Sequence, residues 1–271
     1  MHQYNSNKSS MSLMLWDLKE GARQWRTWWY LGSSELITRF ERSFIGLFGW
    51  NVISFGLFCL AIMLLFGEIS DNSSKNFGAS VVSGFLVYTL LSGLVTDSCA
   101  VFNSNAQWLK SVHMPYGIFV YKTVLKQFIV FLLSCFSAGI ILIANNSIVW
   151  SMHLFMLLPA LVIILLNGIA SCLFLGTINA RYRDVGHLVN TIMRFALFVT
   201  PILWQADSGG LRGTIAKFNP FTYYIDIFRA PLIKAEVSAT SWLVVICITF
   251  VFCLISISVY THARKKVIYW L

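Results

Sequence analysis

Charge is scarce in this chain. Only 11% of its 271 residues are Asp, Glu, Lys or Arg, while 57% are hydrophobic. A soluble domain carries about 25% charged residues, so a conventional water-facing surface is excluded and the chain reads as an integral membrane protein. Its six cysteines (Cys59, Cys99, Cys135, Cys172, Cys247, Cys253) form no CxxC pair, and five lie inside apolar runs. They read as small core residues, not as a disulfide framework or a metal site. There is no GxxxxGK[ST] phosphate loop and no HExxH, so nucleotide hydrolysis and zinc peptidase chemistry have no seat in this chain. Gly78-Ala79-Ser80 with a distant His153 is too bare for a serine hydrolase, since nothing surrounds the histidine. No cleavable signal peptide is expected: residues 1–43 are too polar, and the first apolar run is long enough to span.

What the chain does have is a succession of apolar runs, near 44–66, 80–96, 116–144, 152–178, 188–205 and 242–260. This predicts an all-α membrane protein of six spans. The organisation is an N-terminal segment over 1–43, a six-span domain over 44–262 and a C-terminal tail over 263–271. Ahead of the first span, Met11, Met14, Leu15, Leu18, Ala22, Trp25 and Trp29 share a helical face, opposite Asp17, Lys19, Glu20, Arg23, Gln24 and Arg26. A tryptophan-rich face against mixed charge predicts a helix lying in the headgroup layer. Residues 67–79 form a polar loop. Residues 97–114 are too polar to cross and too long for a turn, which predicts a short amphipathic helix with Val101, Trp108 and Leu109 as its apolar contacts. Residues 206–241, punctuated by Asp207, Gly209, Gly210, Asn219-Pro220 and Pro231, divide into two short helical pieces.

The charges that exist are placed by side. With the amino terminus inside, fourteen Lys and Arg fall on the inner side and five (Lys75, Arg212, Lys217, Arg229, Lys234) on the outer. The bias puts both termini in the cytosol. It also accounts for the net charge of +9 without any nucleic-acid partner. Lys122 and Lys126, at the start of the third span, are expected to snorkel to the inner headgroups. All eleven carboxylates lie outside the spans or at their ends. Proton- and sodium-coupled carriers need an ionisable group at mid-membrane, so any transport here must draw its energy elsewhere.

Two faces stand out. In the first span Phe44, Phe48, Asn51, Phe55, Phe58, Ile62 and Phe66 follow helical spacing, giving an aromatic stripe with one amide in it. Aromatic faces contact sugar rings by dispersion and ask little of hydroxyl positions, which suits a track for a sliding glycan; lipid contact or helix packing is the plain alternative for any one of these residues. In the fifth, His187, Thr191, Arg194, Phe198, Pro201 and Gln205 share a face. Such a face is a poor surface for lipid, because a mid-membrane arginine costs at least about 3 kcal/mol. Either Arg194 snorkels or the face turns to protein or a wet passage.

Arg181-Tyr-Arg-Asp-Val-Gly-His187, the helix ending Thr200-Pro201-Ile-Leu-Trp204, then Phe218-Asn219-Pro220-Phe221 and Phe228-Arg229 together resemble the membrane subunit of ABC-2-type polysaccharide exporters, which move O-antigen, capsule or teichoic acid chains. The resemblance covers most of residues 30–262. It implies an amphipathic helix before the first span and a re-entrant, gating hairpin between spans five and six. It makes residues 98–113 the coupling helix that sits in a groove of an ATP-hydrolysing subunit, with Asp97, Asn105, Leu109, Lys110 and Pro115 where that pattern puts them; Trp108, Arg181, Arg183 and Asp184 join them as coupling candidates. It further implies two copies of the chain around a shared channel with two ATP-binding-cassette subunits, ATP and Mg residing on those partners and no cofactor on this chain. The expected pore wall is Phe44, Phe48, Asn51, Phe55 and Phe58 with Thr191, Arg194, Phe198 and Gln205. The expected cargo is a polysaccharide on a polyprenyl diphosphate lipid, crossing the bacterial cytoplasmic (inner) membrane in lipopolysaccharide or similar envelope biosynthesis. The alternative is an ABC-2 exporter of a small amphiphile.

Overall fold

A computed structural model describes residues 10–41, 43–67, 74–112, 114–204 and 210–271. Every regular element among them is helical: α1 (Ser10–Arg23), α2 (Trp25–Phe40), α3 (Gly46–Gly67), α4 (Ser74–Ala100), α5 (Ala106–Ser111), α6 (Gly117–Ala144), α7 (Leu157–Arg181), α8 (Asp184–Val199), α9 (Gly210–Phe218), α10 (Pro220–Arg229), α11 (Ala239–Ala263) and α12 (Val267–Trp270). Four stretches are long and apolar enough to cross a membrane: Phe77–Ala100, Gly117–Ala144, Met152–Arg181 and Ala239–Ala263. A shorter apolar helix covers Gly46–Ile62. α8, at 16 residues, reaches about 24 Å at 1.5 Å per residue, short of a hydrocarbon core of about 30 Å. The region after it is two short helices, α9 and α10, as its punctuation predicts.

α4 is the centre of the bundle. It packs against α7 and α6 on two sides and against α10 and α8 on the others, while α11 closes over α7 and α3 over α6. Helices close up here because small residues face neighbours: a methyl on Gly168 would meet Leu94 Cδ2 at 2.7 Å. Polar side chains inside the bundle find each other, as they must away from water. Asn167 Nδ2 donates to Thr249 Oγ1 at 2.8 Å, and Tyr224 meets the same hydroxyl at 3.2 Å, joining α7, α10 and α11.

The bundle has two distinct ends. At one, the Asn146–Trp150 turn meets the π-helical turn Ala230–Lys234, with Val149 N donating to Leu232 O at 3.2 Å. At the other lie α1, α2, α5, the α7–α8 turn and α12. That end is held by a buried polar knot which sequence reasoning assigns wrongly. Asp17, expected on the wet face of the amphipathic helix, is 1% exposed. Its Oδ2 accepts from Arg264 Nε and, at 2.8 Å, from Tyr260 OH; its Oδ1 accepts from Arg264 Nη2 at 3.0 Å and Tyr116 N at 3.2 Å. The Arg264 guanidinium also lies 3.7 Å from the Tyr116 ring centroid. One carboxylate thus fastens α1 to the start of α6 and the end of α11, and puts both ends of the described chain on the same side of the bundle. α1 turns Leu13, Met14, Asp17 and Gly21 inward and leaves Met11, Leu15, Trp16, Trp25 and Trp29 exposed across α1 and the start of α2.

Candidate functional site

Of the two predicted stripes, the one on α3 divides along its length. Phe44 and Phe48 are exposed, although the Phe48 ring lies 5.3 Å from Phe136 on α6. Asn51 is half-buried and its amide donates to Leu47 O at 2.7 Å. Phe55 is buried and Phe58 half-buried, and both stack on Phe85 of α4, at 5.4 and 3.9 Å between ring centroids. Within one chain Phe55 and Phe58 therefore form a seam between α3 and α4, while Phe44 and Phe48 stay exposed.

α8 has three sides rather than two. Val189 and Met193 are buried against α4, with Tyr88 OH donating to Met193 O. Leu188, Ile192, Phe195 and Val199 form an exposed apolar side. His187, Asn190, Thr191, Arg194 and Phe198 form a separate exposed side that is mostly polar. Arg194 has no ion-pair partner among the described residues. Gln205 lies outside the described residues, as do Asp207 and Gly209 of the following segment and residues 68–73 of the expected 67–79 loop, whose later part is already helical in α4. α3 and α8 do not pack along one another; each rests on α4. Beyond the end of α8, Leu203 joins Phe58 and Ile62 of α3 with Phe77 and Val81 of α4 in a small apolar cluster.

The end of α8 brings Thr200-Pro201, Asn219-Pro220 and Arg229 together. Pro201 disfavours helical backbone at the residue before it, and Thr200 is extended at φ −85°, ψ 138°. The freed groups are then caught from the short-helix hairpin. Asn219 Nδ2 donates to Thr200 Oγ1 at 2.9 Å, while Asn219 Oδ1 caps α10 by accepting from Phe221 N at 2.9 Å. Arg229 Nη2 donates to Pro201 O at 3.1 Å, and its guanidinium occupies the space a side chain at Gly84 would fill. The α9–α10 hairpin is thereby latched to the break in α8. Asn219→Ala removes both the cap and the link to Thr200, so amide exchange in the first turn of α10 should accelerate roughly tenfold or more. Asn219→Asp keeps the cap and should leave that exchange near wild type; equal acceleration in both variants would remove the cap from the account.

At the opposite end, the predicted coupling residues separate into anchors and surface. Asn105 is buried, with Oδ1 accepting from Lys122 Nζ at 2.8 Å; Leu109 is buried too. Asp97 pairs with Lys126 at 3.0 Å and accepts from Gln127 at 2.7 Å. Lys122 and Lys126 do not snorkel: Lys122 pairs with Glu35 of α2 at 2.7 Å and Lys126 with the same carboxylate at 3.0 Å. Two lysines four apart on one helix face can share an acid, and Lys122, buried in the bundle, needs such a partner for its charge. Burial raises the Glu35 pKa, but the two lysines outweigh it and hold the carboxyl below its ordinary 4.5. A depressed acid stabilises above its unfolded value, so this network is intact at neutral pH and is lost only as pH falls below 4.5 through the lowered pKa.

Trp108, expected as an apolar contact, instead points outward at 49% exposure, beside exposed Lys110. Arg181, Arg183 and Asp184 are exposed at the adjoining α7–α8 turn. That turn is positioned by Asn179, which sequence reasoning passed over. Its Nδ2 donates to Cys99 O at 2.7 Å, and its Oδ1 accepts from Gly186 N at 2.8 Å. An asparagine at the mouth of a span carries no signal beyond its polarity, so nothing in the chain singled it out.

The ABC-2 type transporter family profile matches residues 26–233. The chain is also 24% identical, over 200 residues, to the O-antigen export system permease protein RfbA of Myxococcus xanthus, an alignment covering 72% of this chain and 76% of that protein.

Proposed function

Since the chain belongs to the ABC-2 type transporter family, we propose that it is the permease subunit of an ATP-driven exporter of lipid-linked polysaccharide, O-antigen or a similar glycan on polyprenyl diphosphate. In this reading two copies enclose the path in the bacterial cytoplasmic membrane, each with six spans and cytosolic termini. α3 and α8 are completed as the first and fifth spans by the bilayer and the second copy, and α9–α10 form the re-entrant outer hairpin. Two ATP-binding-cassette subunits, carrying ATP and Mg, dock at the α5 end. Asp97, Asn105 and Leu109 hold that segment in place, while Trp108, Lys110, Arg181, Arg183 and Asp184 make the contact.

The observation that carries this reading is the third side of α8. A short helix in an apolar bundle keeps His187, Thr191, Arg194 and Phe198 uncovered within its own chain, next to an apolar side suited to lipid. Leaving that polar side in hydrocarbon is costly, so a second copy or a hydrated passage must cover it. The exposed members of both stripes, Phe44, Phe48, Thr191, Arg194 and Phe198, then face the cargo. The O-antigen export permease among its relatives supports a glycan as that cargo.

Phe48→Ala combined with Phe198→Ala tests this, because both rings are exposed and their loss spares the seam formed by Phe55 and Phe58. Surface polysaccharide should fall about tenfold or more at unchanged permease level, with the glycan retained on the cytosolic face. Intact surface polysaccharide together with new sensitivity to amphiphilic drugs would instead assign a small amphiphile as cargo.

A further inference from the structure

Residues 263–271 account for three of the inner positive charges, yet they do not extend away as a tail. Past Ala263 the chain turns: Arg264 is held by Asp17, Lys266 N donates to Ala263 O at 2.7 Å, and α12 begins at Val267, which is wholly buried. α12 rests on α7 and on α5. Its Trp270 is half-buried, and the Arg181 guanidinium lies 5.4 Å from that ring and 5.1 Å from the ring of Tyr182. A cation between two rings gains from both, so the last turn of α7 clasps α12 in place. Tyr269 points away from this clasp and is 86% exposed.

A four-residue helix has no stability of its own, so its order comes from these contacts, and they present Tyr269 outward. α12 adjoins both α5 and α7, and the exposed side chains at this end include Trp108 and Lys110, Arg181, Tyr182 and Arg183, and Lys265, Lys266 and Tyr269. Five of these are cations, and the acid Asp184 is exposed beside Arg183. Protruding aromatics within a cationic border fit a protein surface with apolar notches edged by carboxylates.

We propose that α12 is part of the docking face for the ATP-binding subunit, with Tyr269 as an anchor seated in that subunit. This rests on the coupling reading of α5 and the α7–α8 turn given above. It adds an element outside the segments that carry that reading.

The test uses the detergent-purified permease and its ATP-binding subunit, reading their affinity and the permease-stimulated ATP hydrolysis. Tyr269→Ala should weaken association roughly tenfold, as loss of an interface anchor does, and Tyr269→Phe should not. Trp270→Ala, which opens the Arg181 clasp, should weaken it comparably. Because Tyr269 is so exposed, its removal should leave the unfolding temperature of the permease alone unchanged. A second variant, Trp108→Ala with Lys110→Glu, probes α5 separately. If that variant releases the ATP-binding subunit and Tyr269→Ala does not, the α12 proposal is overturned and the coupling reading stands; Tyr269 then merely lies against headgroups. If Tyr269→Ala releases it and the α5 variant does not, α12 stands and α5 is not the coupling element. If neither has an effect, both fail.

Discussion

Replacing Arg264 by alanine should detach α1 from the bundle and cost about 3–5 kcal/mol, the range for removing one partner of a buried ion pair. Asp17 and Arg264 are 1% and 5% exposed. With the guanidinium gone, the carboxylate keeps only Tyr260 OH and Tyr116 N as donors among its present partners, and its buried charge is left uncompensated. Relief comes from α1 lifting off: its other attachments, buried Leu13 and Met14 and the Tyr121 hydroxyl on Leu18 O, do nothing for the stranded charge. The variant should therefore show protease cleavage within residues 10–24 and altered emission from Trp16 and Trp25, with the spans still folded. Asp17→Asn with Arg264→Met, which removes both charges, should lose much less than Arg264→Ala alone. Arg23→Ala is the control: its side chain is 82% exposed in a 3.9 Å pair with Glu20, and its loss should leave both readouts unmoved. An Arg264→Ala protein as resistant to protease as wild type would show that the knot does not hold α1.

A second large effect is expected from a single methyl at Gly117. There α1 crosses the start of α6 backbone to backbone: a Cβ built on Gly21 meets Gly117 Cα at 2.8 Å, and one on Gly117 runs into the Asp17 carbonyl. Backbone atoms cannot swing aside as the end of a side chain can. Gly117→Ala must push α1 outward and pull Asp17 from Arg264, so the overpacking cost of about 1–3 kcal/mol is joined by much of the ion-pair loss. Gly139→Ala, the same change in the same helix, meets nothing within 4 Å and gains about 1 kcal/mol of helix propensity. Thermal unfolding of the two variants should move in opposite directions. Movement of both in the same direction would place the tight crossing elsewhere.

These two effects mark where the sequence was legible. Spacing alone placed the apolar helices, since hydrophobic periodicity and length need no partner to be read. Asn219-Pro220 and Pro231 divided the segment after α8 correctly, because capping and proline act within a few residues. Distant pairings were not legible. Asp17 looked like a solvated charge because its partner is Arg264, at the far end of the chain. Lys122 and Lys126 looked like headgroup ligands because Glu35 lies on another helix. Trp108 and Leu109 are neighbours of similar polarity, and only the packing of α5 decided that one is the anchor and the other the surface.

By itself, then, the sequence determined that this chain is a membrane protein built of apolar helices, with its few charges kept to the ends of the long apolar runs. Those properties follow from the cost of transferring each segment out of water, a sum over local residues. The tertiary structure alone decided which few polar groups are paired inside, how the hairpin latches the end of α8, and which side of α8 stays uncovered. Those depend on which helices come within a hydrogen bond of each other, and that distance is set by how the whole bundle packs.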